Sequence, residues 1–166
     1  MYITSVSNII KLFLILTLFC ALLSKTAYAD DGVAKVVYHV DFADPKRFSA
    51  MLQNIFNMSN TYENELVEYD IRIVMLSKGI RFATKNNLKG TPFEADKTFV
   101  KERENLIKRL TSLRELRGIK LELCKITLDV VQLDKTELIP GIKLVTSGVV
   151  QIAKLQNQGF AYLKVE

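Results

Sequence analysis

Five short runs rich in β-branched and aromatic residues, separated by stretches of helical periodicity, constrain this chain more than any other feature. The runs are Lys35–Asp41, Asp70–Leu76, Ile119–Cys124, Ile142–Val145 and Phe160–Val165. Each has the length and composition of a buried strand. After the first, Asp44-Pro45 supplies an aspartate N-cap with proline at the first helical position. Phe48, Met51, Leu52, Ile55 and Phe56 then recur at i, i+3, i+4, i+7 and i+8, which makes one apolar helix face. Strand, amphipathic helix and strand in succession predict a right-handed crossover and a parallel pair. Residues 57–64 are polar and are expected to hold the end of this helix and the loop beyond it.

The pattern repeats downstream. Between Lys97 and Leu116, Phe99, Leu106, Ile107, Leu110 and Leu113 fall near one helix face, charged residues cover the others, and Gly118 ends the element. Gly90, Thr91 and Pro92 break the preceding segment, so 81–96 is expected to be a short helical piece followed by an exposed loop. Lys125–Gln132 reads as a short helix and Asp134–Glu137 as one further capped turn. Pro140-Gly141 turns the chain into the fourth run. Thr146-Ser147-Gly148 opens a last helix whose Val149, Val150, Ile152, Ala153 and Leu155 make it apolar on most sides, so it is expected to be well buried. Gly159 stops it. The alternation predicts an α/β fold, a three-layer α/β/α domain with a mainly parallel five-stranded sheet.

The N-terminal segment is expected to lie outside that domain. Leu12–Leu23 is an apolar run, and Ala27-Tyr28-Ala29 has the small-x-small form of a cleavage site. This order is that of a secretory signal peptide. The run is about 12 residues where a membrane span needs roughly 20, so removal after Ala29 is expected rather than anchoring. The domain is then 30–166, exported to a periplasmic compartment and without a membrane partner. Cleavage also removes Cys20, one of two cysteines, and leaves Cys124 as the single thiol in an oxidising environment.

Several chemistries lack their residues. The formal charge of +5, reduced further by loss of Lys11 and Lys25, is not the footprint of a nucleic-acid binder. One histidine and one retained cysteine, far apart, give no metal-ligand spacing. No glycine-rich dinucleotide or phosphate loop is present and no Gly-x-Ser-x-Gly elbow, so no cofactor is expected. His39, within the first strand, reads as a hydrogen-bonded core or sheet-face residue. Thr146, Ser147 and Gly148, at a helix start, read first as an ordinary cap and are weaker candidates for binding an anion through free N–H groups. Ser77, Lys78 and Gly79, after the second strand, are candidates for the rim of the same crevice. Cys124 ends the third strand, where open α/β sheets keep their working groups. A helix N-terminus and Lys125 beside it would lower its pKa and raise its thiolate fraction. An inert core thiol is the equal alternative.

The closing segment, Leu138-Ile-Pro-Gly-Ile-Lys-Leu-Val-Thr-Ser-Gly-Val-Val-Gln-Ile-Ala-Lys-Leu-Gln-Asn-Gln-Gly-Phe-Ala-Tyr-Leu163, resembles the C-terminal signature of the DsrE/DsrF-like family. That signature is a Pro-Gly turn, a Ser/Ala-Gly-Val-Val helix start and a Leu-Gln-x-x-Gly-Tyr/Phe-Ala-Tyr ending. Lys35-Val-Val-Tyr-His-Val40 and Gly118-Ile-Lys-Leu-Glu-Leu-Cys124 agree with its upstream parts. The resemblance implies a DsrE-like α/β fold, flavodoxin-like in outline, often built into homo- or hetero-oligomers. Its characterised members carry sulfur as a cysteine persulfide, and Cys124 matches the cysteine that many exported members place after the third strand. Those members often read Cys-Gly-Asn-Thr/Ser there; this chain reads Cys124-Lys125-Ile126-Thr127. Three functions are consistent with these features. They are a sulfur carrier or sulfurtransferase-type relay through Cys124 with a thiol or persulfide protein partner, a non-catalytic oligomeric accessory protein with a structural cysteine, and a thiol redox partner. A homo-oligomer is expected, because so apolar a C-terminal half leaves a patch to cover.

Overall fold

The computed structural model describes residues 32–165. The expected signal segment lies outside the described residues. Five strands form the framework: β1 (Ala34–Val40), β2 (Tyr69–Met75), β3 (Lys120–Cys124), β4 (Ile142–Val145) and β5 (Ala161–Lys164). Four α-helices connect them: α1 (Pro45–Asn64), α2 (Lys97–Arg117), α3 (Lys125–Val130) and α4 (Gly148–Asn157). The sheet has the order β4-β3-β2-β1-β5, and all four pairings are parallel.

That order decides which helix covers which face. From β1 to β4 the chain moves one strand at a time in the same direction, and right-handed crossovers then place α1, α2 and α3 on one side. The link from β4 to β5 must travel back past three strands, which places α4 on the other side. The two apolar clusters record this division. Val36, Tyr38 and Val40 of β1 meet the α1 and α2 residues in the larger one, where the Phe48 ring stacks on Phe82 with centroids 3.7 Å apart. Val37 and Val74 meet Ile152, Leu155 and Phe160 in the smaller one.

Several expectations change in detail. Helix α1 runs to Asn64 through the polar stretch, because Met58 and Tyr62 pack against the core and Ser59 is fully buried, its hydroxyl bonded to the Phe56 carbonyl. The helical piece expected after Arg81 lies earlier, as a 3-10 turn at Ser77–Phe82. The loop after it is not simply exposed. Ala83, Thr84 and Leu88 are buried, Arg103 holds the Lys85 carbonyl and Asn87, and Arg81 holds the Phe93 and Glu94 carbonyls. Helix α4 is far less buried than its composition suggests: Ile152 and Leu155 face the sheet, while Val149 and Val150 are 64% and 51% exposed. A lone helix on a sheet face has only one side to hide, however apolar the rest.

Candidate functional site

Cys124 is the last residue of β3 and the N-cap of α3. Its register partner on β4 is Val145, after which Ser147 caps α4. Chain leaving β3 turns to the α1–α3 side, and chain leaving β4 turns to the opposite side. Adjacent strands whose exits diverge open a crevice at their carboxyl ends, the switch point of an open parallel sheet. Cys124 lies at that end of the sheet and is 5% exposed.

Two groups of forces act on the sulfur. Burial pushes the thiol pKa up, since only 5% of the residue is exposed. Against it stand the Gly148 and Thr127 N–H groups, the Thr127 hydroxyl and the Ile126 N–H, and together they hold the pKa below the ordinary thiol value of 9.0. No side-chain cap bond closes from Sγ to the first turn of α3, so these groups act on the thiolate as neighbouring dipoles. Lys125, expected to assist, does not. Its ammonium is 2.7 Å from Asp129, one turn along α3, and takes no part in the shift.

The residues singled out in the sequence divide. Gly148 is buried against the sulfur's own side chain; a Cβ there would lie 3.2 Å from the Cys124 Cβ and 3.1 Å from Leu76 Cδ2. Ser147 caps α4 by accepting from the Val150 N–H at 3.5 Å, and Thr146 is exposed. Ser77 adopts a left-handed φ of 52°, and its N–H donates to Thr127 Oγ1 at 2.9 Å, which ties the β2 exit to the β3 exit. Gly79 is structural, since any Cβ would fall 2.2 Å from the Val40 carbonyl oxygen. Lys78 is exposed and makes no ion pair among the described residues. His39 lies on β1, two strands from β3. Its Nδ1 is 2.8 Å from the Tyr162 hydroxyl and its Nε2 is 4.0 Å from Asp41, and burial holds its pKa below the usual value.

Thr127 was not among the sequence candidates, although a side chain at the third helical position can reach back toward the N-cap. Glu122 was also missed. It shares its sheet face with Cys124, is 1% exposed, and accepts from Gln151 Nε2 of α4 at 2.8 Å and from Arg72 at 3.4 Å. Arg72 in turn lies over the Phe160 ring, 4.9 Å from its centroid, and pairs with Asp70 at 2.7 Å. A carboxylate two residues before a cysteine carries no signal until the strand order puts α4 over both. Chemically, the site offers a partly activated thiolate with N–H dipoles poised for negative charge on sulfur. Among the described residues, no group of three or more His, Cys, Asp or Glu is placed to hold a metal ion.

No curated protein matches the chain. Among solved structures, the protein of unknown function MTH1491 from Methanobacterium thermoautotrophicum aligns with a TM-score of 0.60 and 24% identity, covering 79% of this chain and 98% of that one. It shares the fold. The YchN protein of E. coli aligns over the same shares at 18% identity and a TM-score of 0.49. The DsrE/DsrF-like family matches residues 33–165, which span all five strands, and the chain belongs to that family.

Proposed function

We propose that the protein is an exported sulfur carrier that holds sulfane sulfur on Cys124 as a persulfide. The observation that supports the reading is Cys124 at the carboxyl end of β3, against Gly148 of α4 and with its thiol pKa lowered despite burial. The family is of the sulfur-relay type, which supports the same chemistry. In the forward step the Cys124 thiolate attacks the outer sulfur of a donor persulfide. The donor's S–S bond breaks, the donor leaves as a thiolate, and a new S–S bond forms at Sγ. In the second step an acceptor thiolate attacks that outer sulfur, and Cys124 departs as a thiolate. No net oxidation occurs. The Gly148, Thr127 and Ile126 N–H groups lower the cost of the charge that Cys124 carries at the start and end of each cycle.

Assembly belongs to the same reading. Ile126 and Val130 of α3 and Val149 and Val150 of α4 are each more than half exposed, on the two helices that follow the β3 and β4 exits. Such a surface suits a second copy of the chain or a partner protein bearing a thiol. The near-complete burial of Cys124 favours one rival, an accessory protein in which the thiol is structural.

Incubation with polysulfide followed by intact-mass measurement separates the two. The carrier gains one sulfur on the native wild type and none on Cys124→Ser. A Cys124 that takes up neither sulfur nor a thiol reagent until the protein is denatured makes the structural thiol the correct account.

A further inference from the structure

On the far side of the molecule from α4, a groove of about 570 Å³ runs between α1 and α2. Leu52, Phe56, Leu113 and Leu116 line it, and Lys108 and Arg109 stand beside them. Two of these are conspicuously uncovered for apolar residues, Phe56 at 41% and Leu116 at 78% exposed. The volume lies in the range of small-molecule sites, about 300–1,000 Å³, and the wall surface is mainly apolar although Gln53, Asn105, Ser112 and the cationic side chains also line it.

The charges are one-sided. Among the described residues no carboxylate lines the groove. Arg117 at one end is taken up by its ion pair with Glu63 and lies over the Phe56 ring. Arg109 is different: its guanidinium donates to the Ser49 hydroxyl at 2.6 Å and the Ser49 carbonyl at 3.0 Å, both neutral acceptors. Those bonds orient the planar fork and leave its charge without an ion pair among the described residues. Lys108 likewise has no ion pair among the described residues. The walls are also unequal. On α2 the lining extends from Asn105 to Arg117, about 18 Å of helix, while α1 contributes only Leu52, Gln53 and Phe56. A docked amphipathic helix presents anchors from i to i+7, about two turns, whereas the α1 wall offers about one. A single flexible chain has no such requirement.

We propose that this groove binds a single-chain amphiphile with an anionic head, an alkyl carboxylate. The carboxylate pairs with Arg109 and Lys108, and the chain lies along Leu52, Phe56 and Leu113 toward Leu116. The site is independent of Cys124 and stands or falls apart from the sulfur chemistry.

Calorimetric titration of the full chain with octanoate, decanoate and dodecanoate, each below its micelle concentration, tests the proposal. Affinity rises about fourfold per added methylene if the chain is buried, and decanol binds about tenfold more weakly than decanoate. Arg109→Gln weakens decanoate about tenfold without changing decanol, and Arg109→Lys restores most of the loss. Leu116→Glu, a change at an exposed position that leaves the fold intact, weakens decanoate by about tenfold or more. Affinity that does not depend on chain length, equal binding of decanol, or indifference to both Arg109→Gln and Leu116→Glu overturns the proposal. So does a dimer that Leu116→Glu dissociates, in the absence of decanoate binding, since the groove is then covered by a second copy.

Discussion

At Cys124 burial and hydrogen-bond dipoles oppose one another, and the dipoles win. The consequence for stability has a definite sign. A thiol whose folded pKa lies below its unfolded value releases its proton more readily in the folded state. The folded protein therefore gains stability as pH rises from that lowered pKa to about 9, and loses it again as pH falls back through the folded pKa. Urea midpoints compared between wild type and Cys124→Ser should diverge over that window in favour of wild type and run parallel below it. Thr127→Val removes both the hydroxyl near the sulfur and the acceptor of the Ser77 N–H. It should raise the thiol pKa, read from thiolate absorbance, and cost about 1–3 kcal/mol for the orphaned buried donor, while Thr127→Ser keeps both. Proximity along the chain misled at this scale. Lys125 is next to the cysteine but spends its charge on Asp129, whereas Gly148 is distant in sequence and touches the sulfur's side chain.

Helix α4 is the element on which the site depends, and it is held at both ends by polar contacts rather than by a deep apolar seam. Gln151 bonds to buried Glu122 near its start, and Arg72 lies against the Phe160 ring just beyond its end. Only Ile152 and Leu155 add buried helix-to-sheet packing, with Gly148 at the tip. Gln151→Leu leaves one oxygen of the almost fully buried Glu122 without its donor. Stability should fall by about 1.5–3 kcal/mol, as for other hydrogen bonds to charged groups. The Gly148 N–H should also retreat from the sulfur. The Cys124 pKa should then rise toward 9.0, a shift in the thiolate titration that a simple loss of stability does not produce. If the titration is unchanged while the urea midpoint falls, Gln151 supports the fold alone and does not position α4. The apolar composition of this helix was legible in the sequence; its exposure was not. Which of its sides met the sheet depended on a strand order that no single element encodes.

For the whole molecule, export remains the proposal that frames the rest. With the segment ending in Ala27-Tyr28-Ala29 removed, Cys124 is the single thiol of the mature chain and has no intramolecular partner. Native mass spectrometry of protein recovered from the periplasm reports two things at once. The subunit mass should correspond to a chain beginning at Asp30, and the assembled mass should be a multiple of it. A subunit retaining Met1 to Ala29 would refute cleavage, and a monomer at micromolar concentration would refute assembly. The apolar surface of Ile126, Val130, Val149 and Val150, on the two helices that follow the β3 and β4 exits, is the one that assembly or partner docking should cover.

Most of the elements were legible in the sequence alone, the 3-10 turn at Ser77–Phe82 and the far end of α1 excepted. Period-2 and period-3.6 patterns, the Asp44-Pro45 cap, Gly118 and the closing Pro-Gly to Ala-Tyr signature are local signals, because backbone conformation is chosen over a few residues. They were enough for the α/β class, the parallel pairing and the position of Cys124 at a strand end. Tertiary structure decided what surrounds that sulfur. The order β4-β3-β2-β1-β5 sends α4 across the sheet, and that single crossover brings Gly148 to Cys124, Gln151 to Glu122, and the β4 exit away from the β3 exit to open the crevice. A thiol's pKa is set by dipoles within a few ångströms, and here Gly148, the nearest of them outside the thiol's own helix, belongs to an element that sequence distance had concealed.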